Sequence, residues 1–244
     1  MTSREQTGFM PMDHEADAHV GWRDKLVWTL FAPVTAPFLI KSLRGGSKTE
    51  KARLLRRLDL PDDALPNLGS WKADTGFLHL VCDIIGERKP QRVVEFGCGA
   101  SSLVIARALE KAGCPPHTSF DQHADFVEQT ARWLDEHDLR ADIRHAALQP
   151  IDDEWPGLFY DTGPLEDGID LMIIDGPPWT INPMTRGGAA RLFRHLSPDA
   201  TILLDDASRP GERLVARRWR QEFPDIDFHL WKGGEKGTLI GRKA

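Results

Sequence analysis

Five carboxylates stand where short apolar runs end, and their placement is the first chemical signal in the sequence. Glu95 follows Val93-Val94 and precedes Gly97 by two residues, Asp121 follows 117–120, Asp175 follows 169–174, and Asp205-Asp206 follow 201–204. Carboxylates so placed can hold a cation, accept hydroxyl hydrogen bonds or take up a proton. Between the first two lies Gly97-Cys98-Gly99-Ala100-Ser101-Ser102. A strand that ends in Gly-x-Gly and opens a helix lets a ligand approach bare backbone, with helix N–H groups facing it. Ser102 occupies the place of the third glycine of a pyrophosphate turn. Glu95 beside the turn suits a cationic amino group better than a phosphate, and a hydrogen bond to a charged group contributes about 1.5–3 kcal/mol.

Asp121 comes twenty-four residues after Gly97, where an acid accepts both hydroxyls of a ribose. An amino-acid part at Glu95 and a ribose at Asp121 together describe S-adenosylmethionine. The alternative is that both acids are ordinary strand-end carboxylates.

Holding these groups on one rim requires alternating strands and helices. The sequence predicts strands over 92–96, 117–120, 142–145, 169–174 and 201–204, with helices over 102–111, 124–137 and 209–223. A hairpin over 227–231 and 238–240 closes the chain, and a helix with one apolar face ends near Gly86. Such alternation implies a parallel sheet covered on both faces, with ligands outside the carboxyl ends of its strands.

The sequence here resembles the class I S-adenosylmethionine-dependent methyltransferases. Residues Glu95 to Ser102 look like their first motif in its E-x-G-x-G-x-S form. More narrowly, the chain is similar to a bacterial branch of that family whose motifs name no substrate. Its features are matched at Trp71 to Asp74, Phe159-Tyr160-Asp161, Asp175 to Pro178, Leu204 to Ala207 with Arg209, and Lys236-Gly237. The resemblance covers about residues 68–244. It implies an α/β, doubly wound, mostly parallel seven-stranded sheet of the Rossmann-like methyltransferase type, with a terminal antiparallel hairpin. It also implies S-adenosylmethionine as cofactor, Glu95 holding the methionine amino group with Ser101 nearby, and Gly97, Cys98 and Gly99 admitting the cofactor. Asp121 would bind ribose with Gln122 beside it, and Asp175 would face the acceptor. The third strand departs from the pattern, ending His145-Ala146-Ala147 without an acid.

The reading is therefore methyl transfer to an oxygen of a small molecule or glycan. An NAD-dependent oxidoreductase on a similar sheet and a non-catalytic S-adenosylmethionine-binding protein are the alternatives. Asp175 could face the acceptor or only order its own turn. Three carboxylates, Asp175, Asp205 and Asp206, suffice to hold Mg²⁺ with waters, although metal is not expected. The competing role for the pair is to cap the following helix and to bind Arg209. His145 and His195 are the histidines that could reach the rim as bases.

The chain has 244 residues and a formal net charge of −6, which argues against nucleic acid as partner. Cys82, Cys98 and Cys114 form no paired motif, so a reducing, cytoplasmic setting is expected. Residues 41–57 nevertheless carry seven basic residues and one acid. Immediately before them, 26–40 has no charge, and Pro33 and Pro37 are expected to interrupt it. Residues 1–66 are thus read as an extension with a disordered start, an apolar proline-containing stretch and a basic helix, and 67–244 as the methyltransferase domain. Residues 61–66 are read as a linker. Segment 26–57 would be a cap or homodimer contact, or a peripheral attachment to the inner face of a membrane.

Overall fold

The computed structural model describes residues 20–152 and 155–244. The polar start, expected to be frayed, lies outside them except for Val20 and Gly21. The helices are α1 (Trp22–Lys41), α2 (Lys48–Arg57), α3 (Thr75–Arg88), α4 (Ala100–Ala112), α5 (Ala124–Asp135) and α6 (Pro210–Glu222). The strands are β1 (Val93–Phe96), β2 (Thr118–Asp121), β3 (Asp142–His145), β4 (Leu148–Asp152), β5 (Trp155–Tyr160), β6 (Ile169–Ile174), β7 (Leu196–Leu204), β8 (Ile226–Trp231) and β9 (Thr238–Lys243).

Seven strands form one sheet in the order β3-β2-β1-β6-β7-β9-β8. All pairings from β3 to β7 are parallel, and β9 runs antiparallel to both neighbours. The order reverses at β1 and β6, so the carboxyl ends of those strands open the crevice where ligands bind such sheets. Strand alternation divides the core. Val93, Leu171, Ile173, Leu203 and Ile240 face α2–α5, whereas Val94, Met172, Ile174, Ile202 and Leu239 face α6 and the β4–β5 hairpin. A strand buried on both faces reads as a continuous apolar run, as β6 does from Leu171 to Ile174.

Four features differ from the sequence reading. First, β4 and β5 form a separate antiparallel pair. Pro150 and a bulge near it break the period-two signal. Second, residues 61–66 are not a linker: Ala64 and Leu65 are buried, and Trp133 Nε1 donates to the Ala64 carbonyl at 3.1 Å. Leu54, Leu55 and Leu58 join the same core as α3 and α4. Third, a 3-10 helix (Thr185–His195) fills the crossover between β6 and β7.

Fourth, α1 runs unbroken through Pro33 and Pro37. Each proline removes one helical hydrogen bond. The carbonyls thereby released belong to Thr29 and Pro33, both exposed, so no buried acceptor is orphaned. The helix is held by its other side. Trp28 stacks on Trp179 with centroids 5.8 Å apart, and Asn182 Nδ2 donates to Asp24 Oδ1 at 2.8 Å.

Candidate active site

The glycine turn after β1 is built by close backbone approach. Gly97 has φ +97°, and a Cβ there would lie 2.8 Å from Gly176 N, in the loop after β6. Gly97 N–H donates to the Phe120 carbonyl at 2.8 Å, and Asp175 N–H and Gly176 N–H both donate to the Phe96 carbonyl at 2.8 Å. Three strand ends are thereby knotted together. Asp121 spans the turn: Oδ2 accepts from Cys98 N–H at 3.0 Å and Oδ1 from His123 N–H at 2.9 Å. Burial raises the Asp121 pKa to about 6, against the lowering effect of those two N–H groups. Phe96 stacks on Phe120 and Tyr160 to floor the site.

Gly97, Cys98, Gly99, Ser101, Asp121, Gln122 and Asp175 all line one cavity, so the structure brings most of the anticipated residues together. Glu95 is not on that wall. It is fully buried behind the turn, where Ser102 Oγ donates to Glu95 Oε2 at 2.6 Å and itself accepts from Gly99 N–H at 3.0 Å. His117 Nε2 lies 3.4 Å from the same carboxylate oxygen. Oε1 makes no hydrogen bond. In this structure Glu95 shapes the turn through Ser102.

The remaining walls come from residues outside the anticipated site set. Trp28 and Leu39 of α1 form part of the cavity, with Trp179 opposite, as do Lys72 and Tyr160. Lys72 is buried, its Nζ has no hydrogen-bond partner, and it lies 5.3 Å from the Trp71 ring centroid. Burial, with a smaller contribution from Lys51, lowers its pKa to about 8. Gln122 Oε1 is likewise buried without a partner. Lone polar residues give no periodic pattern, so neither the lysine nor the α1 contacts were legible in the sequence.

Beside the cavity lies a buried ion cluster. Asp206 Oδ2 sits 2.9 Å from Arg186 Nη1 and 2.9 Å from Arg209 Nη1, and its Oδ1 sits 3.4 Å from Lys236 Nζ. Lys236 is also 3.6 Å from Asp205, and Arg186 Nη2 is 3.4 Å from Asp175 Oδ1. Glu212 is buried nearby. Burial would raise Asp206, but Arg209, Lys236 and Arg186 together outweigh it and hold the carboxyl below its usual range. Asp205 is pushed well above that range by burial, only partly offset by Lys236. Asp175 rises to about 6, by burial against the opposing charge of Arg186.

Asp175, Asp205 and Asp206 do converge, with carboxylate oxygens within 4.8 Å of one another. The donor set does not fit a divalent cation, because Arg186, Arg209 and Lys236 already neutralise it. Binding Mg²⁺ would require expelling buried cations from ion pairs. Of the two competing roles, the pairing of Asp206 with Arg209 is present, whereas Arg209 itself stands at the N-cap of α6 with no side-chain cap.

Lys236 is positioned from a distance. Asp74 Oδ1 caps α3 by accepting from Phe77 N–H at 2.8 Å, while Oδ2 accepts from Glu235 N–H at 2.8 Å and Lys236 N–H at 3.1 Å. The two outlying motifs of the sequence, at Trp71 to Asp74 and Lys236-Gly237, meet at this carboxylate. His145 bonds through Nε2 to the Gln122 carbonyl at 3.0 Å. His195 precedes β7 at the amino end of the sheet and pairs with Asp167 at 2.7 Å; it is not on the cavity rim.

This sheet order, with a ligand cavity at the β1 turn and an acid at the end of β2, defines the class I methyltransferase fold. Residues 94–207 match the model of a family described as a methyltransferase domain. Among solved structures, a Podospora anserina methyltransferase, PaMTH1, bound to S-adenosylhomocysteine is 15% identical, with TM-score 0.56 over 98% of this chain and all of that one. The O-methyltransferase TomG from Streptomyces achromogenes, solved with S-adenosylmethionine, is 18% identical, with TM-score 0.53 over 91% of this chain and 97% of that one. An O-methyltransferase from Bacillus cereus, solved with S-adenosylhomocysteine, is 13% identical, with TM-score 0.54 over 93% of this chain and all of that one. These likenesses establish the fold. No curated protein matches the sequence.

Proposed function

We propose that this protein transfers a methyl group from S-adenosylmethionine to an oxygen of a small molecule or glycan. The observation that carries the reading is Asp121, bonded across the glycine turn to Cys98 N–H at 3.0 Å and sharing one cavity wall with that turn. Each Asp121 oxygen keeps an accepting lone pair for a ribose hydroxyl. Lys72 Nζ and Gln122 Oε1, buried without partners, complement an amino-acid carboxylate and a donor group respectively. Glu95, with Oε1 unbonded behind the turn, supplies the negative charge that suits a cationic amino group.

The bound donor supplies an electrophilic methyl carbon on sulfonium, so the chain's tasks are orientation and proton removal. Asp175 is on the cavity wall, and above its pKa of about 6 it is a carboxylate able to take the acceptor hydroxyl proton. Arg186 orients it. Free thiols at Cys82, Cys98 and Cys114 fit a reducing compartment, and we place the protein in the cytoplasm on that ground.

Calorimetry with S-adenosylhomocysteine and with NAD tests the cofactor assignment. The homocysteine compound is expected to bind and NAD to give no heat; tight NAD binding with no response to the other ligand overturns the reading. A screen with labelled methyl donor then identifies the acceptor, and Asp175→Asn should lower turnover on it by about 10²–10⁴-fold.

A further inference from the structure

α1 is apolar on both long faces, and the described residues cover only one of them. At about 100° per residue, Trp22, Leu26, Leu30, Val34 and Ile40 fall within one sector about 120° wide. Pro33 and Pro37 lie between them, and Arg23 and Lys41 share the sector at the two ends of the helix. Of eight large exposed hydrophobic residues among those described, six lie within 22–43, with Trp22 72%, Leu30 67% and Ile40 63% exposed. A helix apolar all round calls for cover on every side.

The charges around this stripe decide what covers it. Arg23 and Lys25 at one end, and Lys41, Arg44 and Lys48 at the other, are exposed. The one acid of the helix, Asp24, is turned onto Asn182. A second copy of the chain on this face would set cation against cation in either helix direction, since both ends are basic. An anionic lipid surface complements the stripe and its ends together.

The helix is long and apolar enough to cross a membrane, yet its inner face is fixed to the domain. The Trp28–Trp179 stack and the Asp24–Asn182 bond hold the first half, and Ser70 N–H donates to the Ser42 carbonyl at 2.8 Å just beyond the end. We propose that α1 docks the protein on an anionic membrane, lying in the membrane plane with the Trp22–Ile40 stripe at the headgroup boundary and the flanking Lys and Arg on lipid phosphates. The inference goes beyond methyl transfer and does not depend on it.

The test is co-sedimentation of the full chain with vesicles of phosphatidylcholine alone and of phosphatidylcholine with phosphatidylglycerol. Binding to the anionic vesicles should be at least ~10-fold tighter and should be stripped by alkaline carbonate. The double variant L26D/L30D, on exposed positions, should lose at least ~10-fold of that binding with S-adenosylhomocysteine affinity unchanged. K41E/R44E should weaken binding to anionic vesicles only. No sedimentation with anionic vesicles, equal binding by L26D/L30D, or resistance to carbonate overturns the proposal. So does a concentration-dependent dimer, seen by sedimentation velocity, that L26D/L30D abolishes without any vesicle binding.

Discussion

Asp121 and Lys72 face one cavity with opposite charges and with pKa values displaced toward neutrality, Asp121 up to about 6 and Lys72 down to about 8. A carboxylate is needed to accept from ribose and an ammonium to pair with a carboxylate, so S-adenosylhomocysteine affinity should be greatest between those values. Calorimetry from pH 5 to pH 9 should show an acid limb that Asp121→Asn flattens and an alkaline limb that Lys72→Met removes. Asp121→Ala should cost about 1–3 kcal/mol of binding. Lys72→Met should weaken S-adenosylhomocysteine but leave methylthioadenosine, which lacks the amino-acid part, unchanged; equal loss for both would contradict the assignment. Asp121 was legible because a strand and an acid following a glycine turn are local patterns. Lys72 was not, because its meaning comes from burial against the turn, some twenty-five residues away.

At the scale of elements, the β6 and β7 ends carry acids, whereas the 3-10 helix, the start of α6 and the β8–β9 turn bring Arg186, Arg209 and Lys236 to them. The acids stood out in the sequence as strand punctuation. The cations did not, since each comes from a different connection and only the closed sheet assembles them. Removing one partner of a buried ion pair leaves its counter-charge uncompensated. Lys236→Met should therefore cost about 3–5 kcal/mol of stability, read from urea unfolding. Because three cations occupy the place a metal would take, neither EDTA nor Mg²⁺ should shift the melting temperature of the unsubstituted protein. The apolar stretch of α1 was legible as composition, but its continuity was not. Proline rules count lost hydrogen bonds, and here the released carbonyls belong to exposed residues while Trp28 and Asp24 hold the inner side.

For the molecule as a whole, the buried acids make stability a falling function of pH near neutrality. Asp121 and Asp175 rise from 3.8 to about 6, and Glu212 from 4.5 to about 7, all chiefly through burial. The folded state then binds more protons than the unfolded chain across that window, so stability is full below it and is lost as pH climbs through the folded values. Differential scanning calorimetry without cofactor should give a lower Tm at pH 7.5 than at pH 5; a flat or rising profile would contradict this. The net charge of −6 conceals this arrangement, because residues 41–57 carry an excess of six positive charges and the rest of the chain is correspondingly acidic.

The paired indoles of Trp28 and Trp179, 5.8 Å apart and inclined by 27°, have an optical consequence. Two stacked indoles at such an angle couple their electronic transitions into an exciton couplet in far-ultraviolet circular dichroism. Both rings line the cavity, so the couplet gives a label-free signal of their stacking, and its amplitude can be followed as ligand or lipid is added.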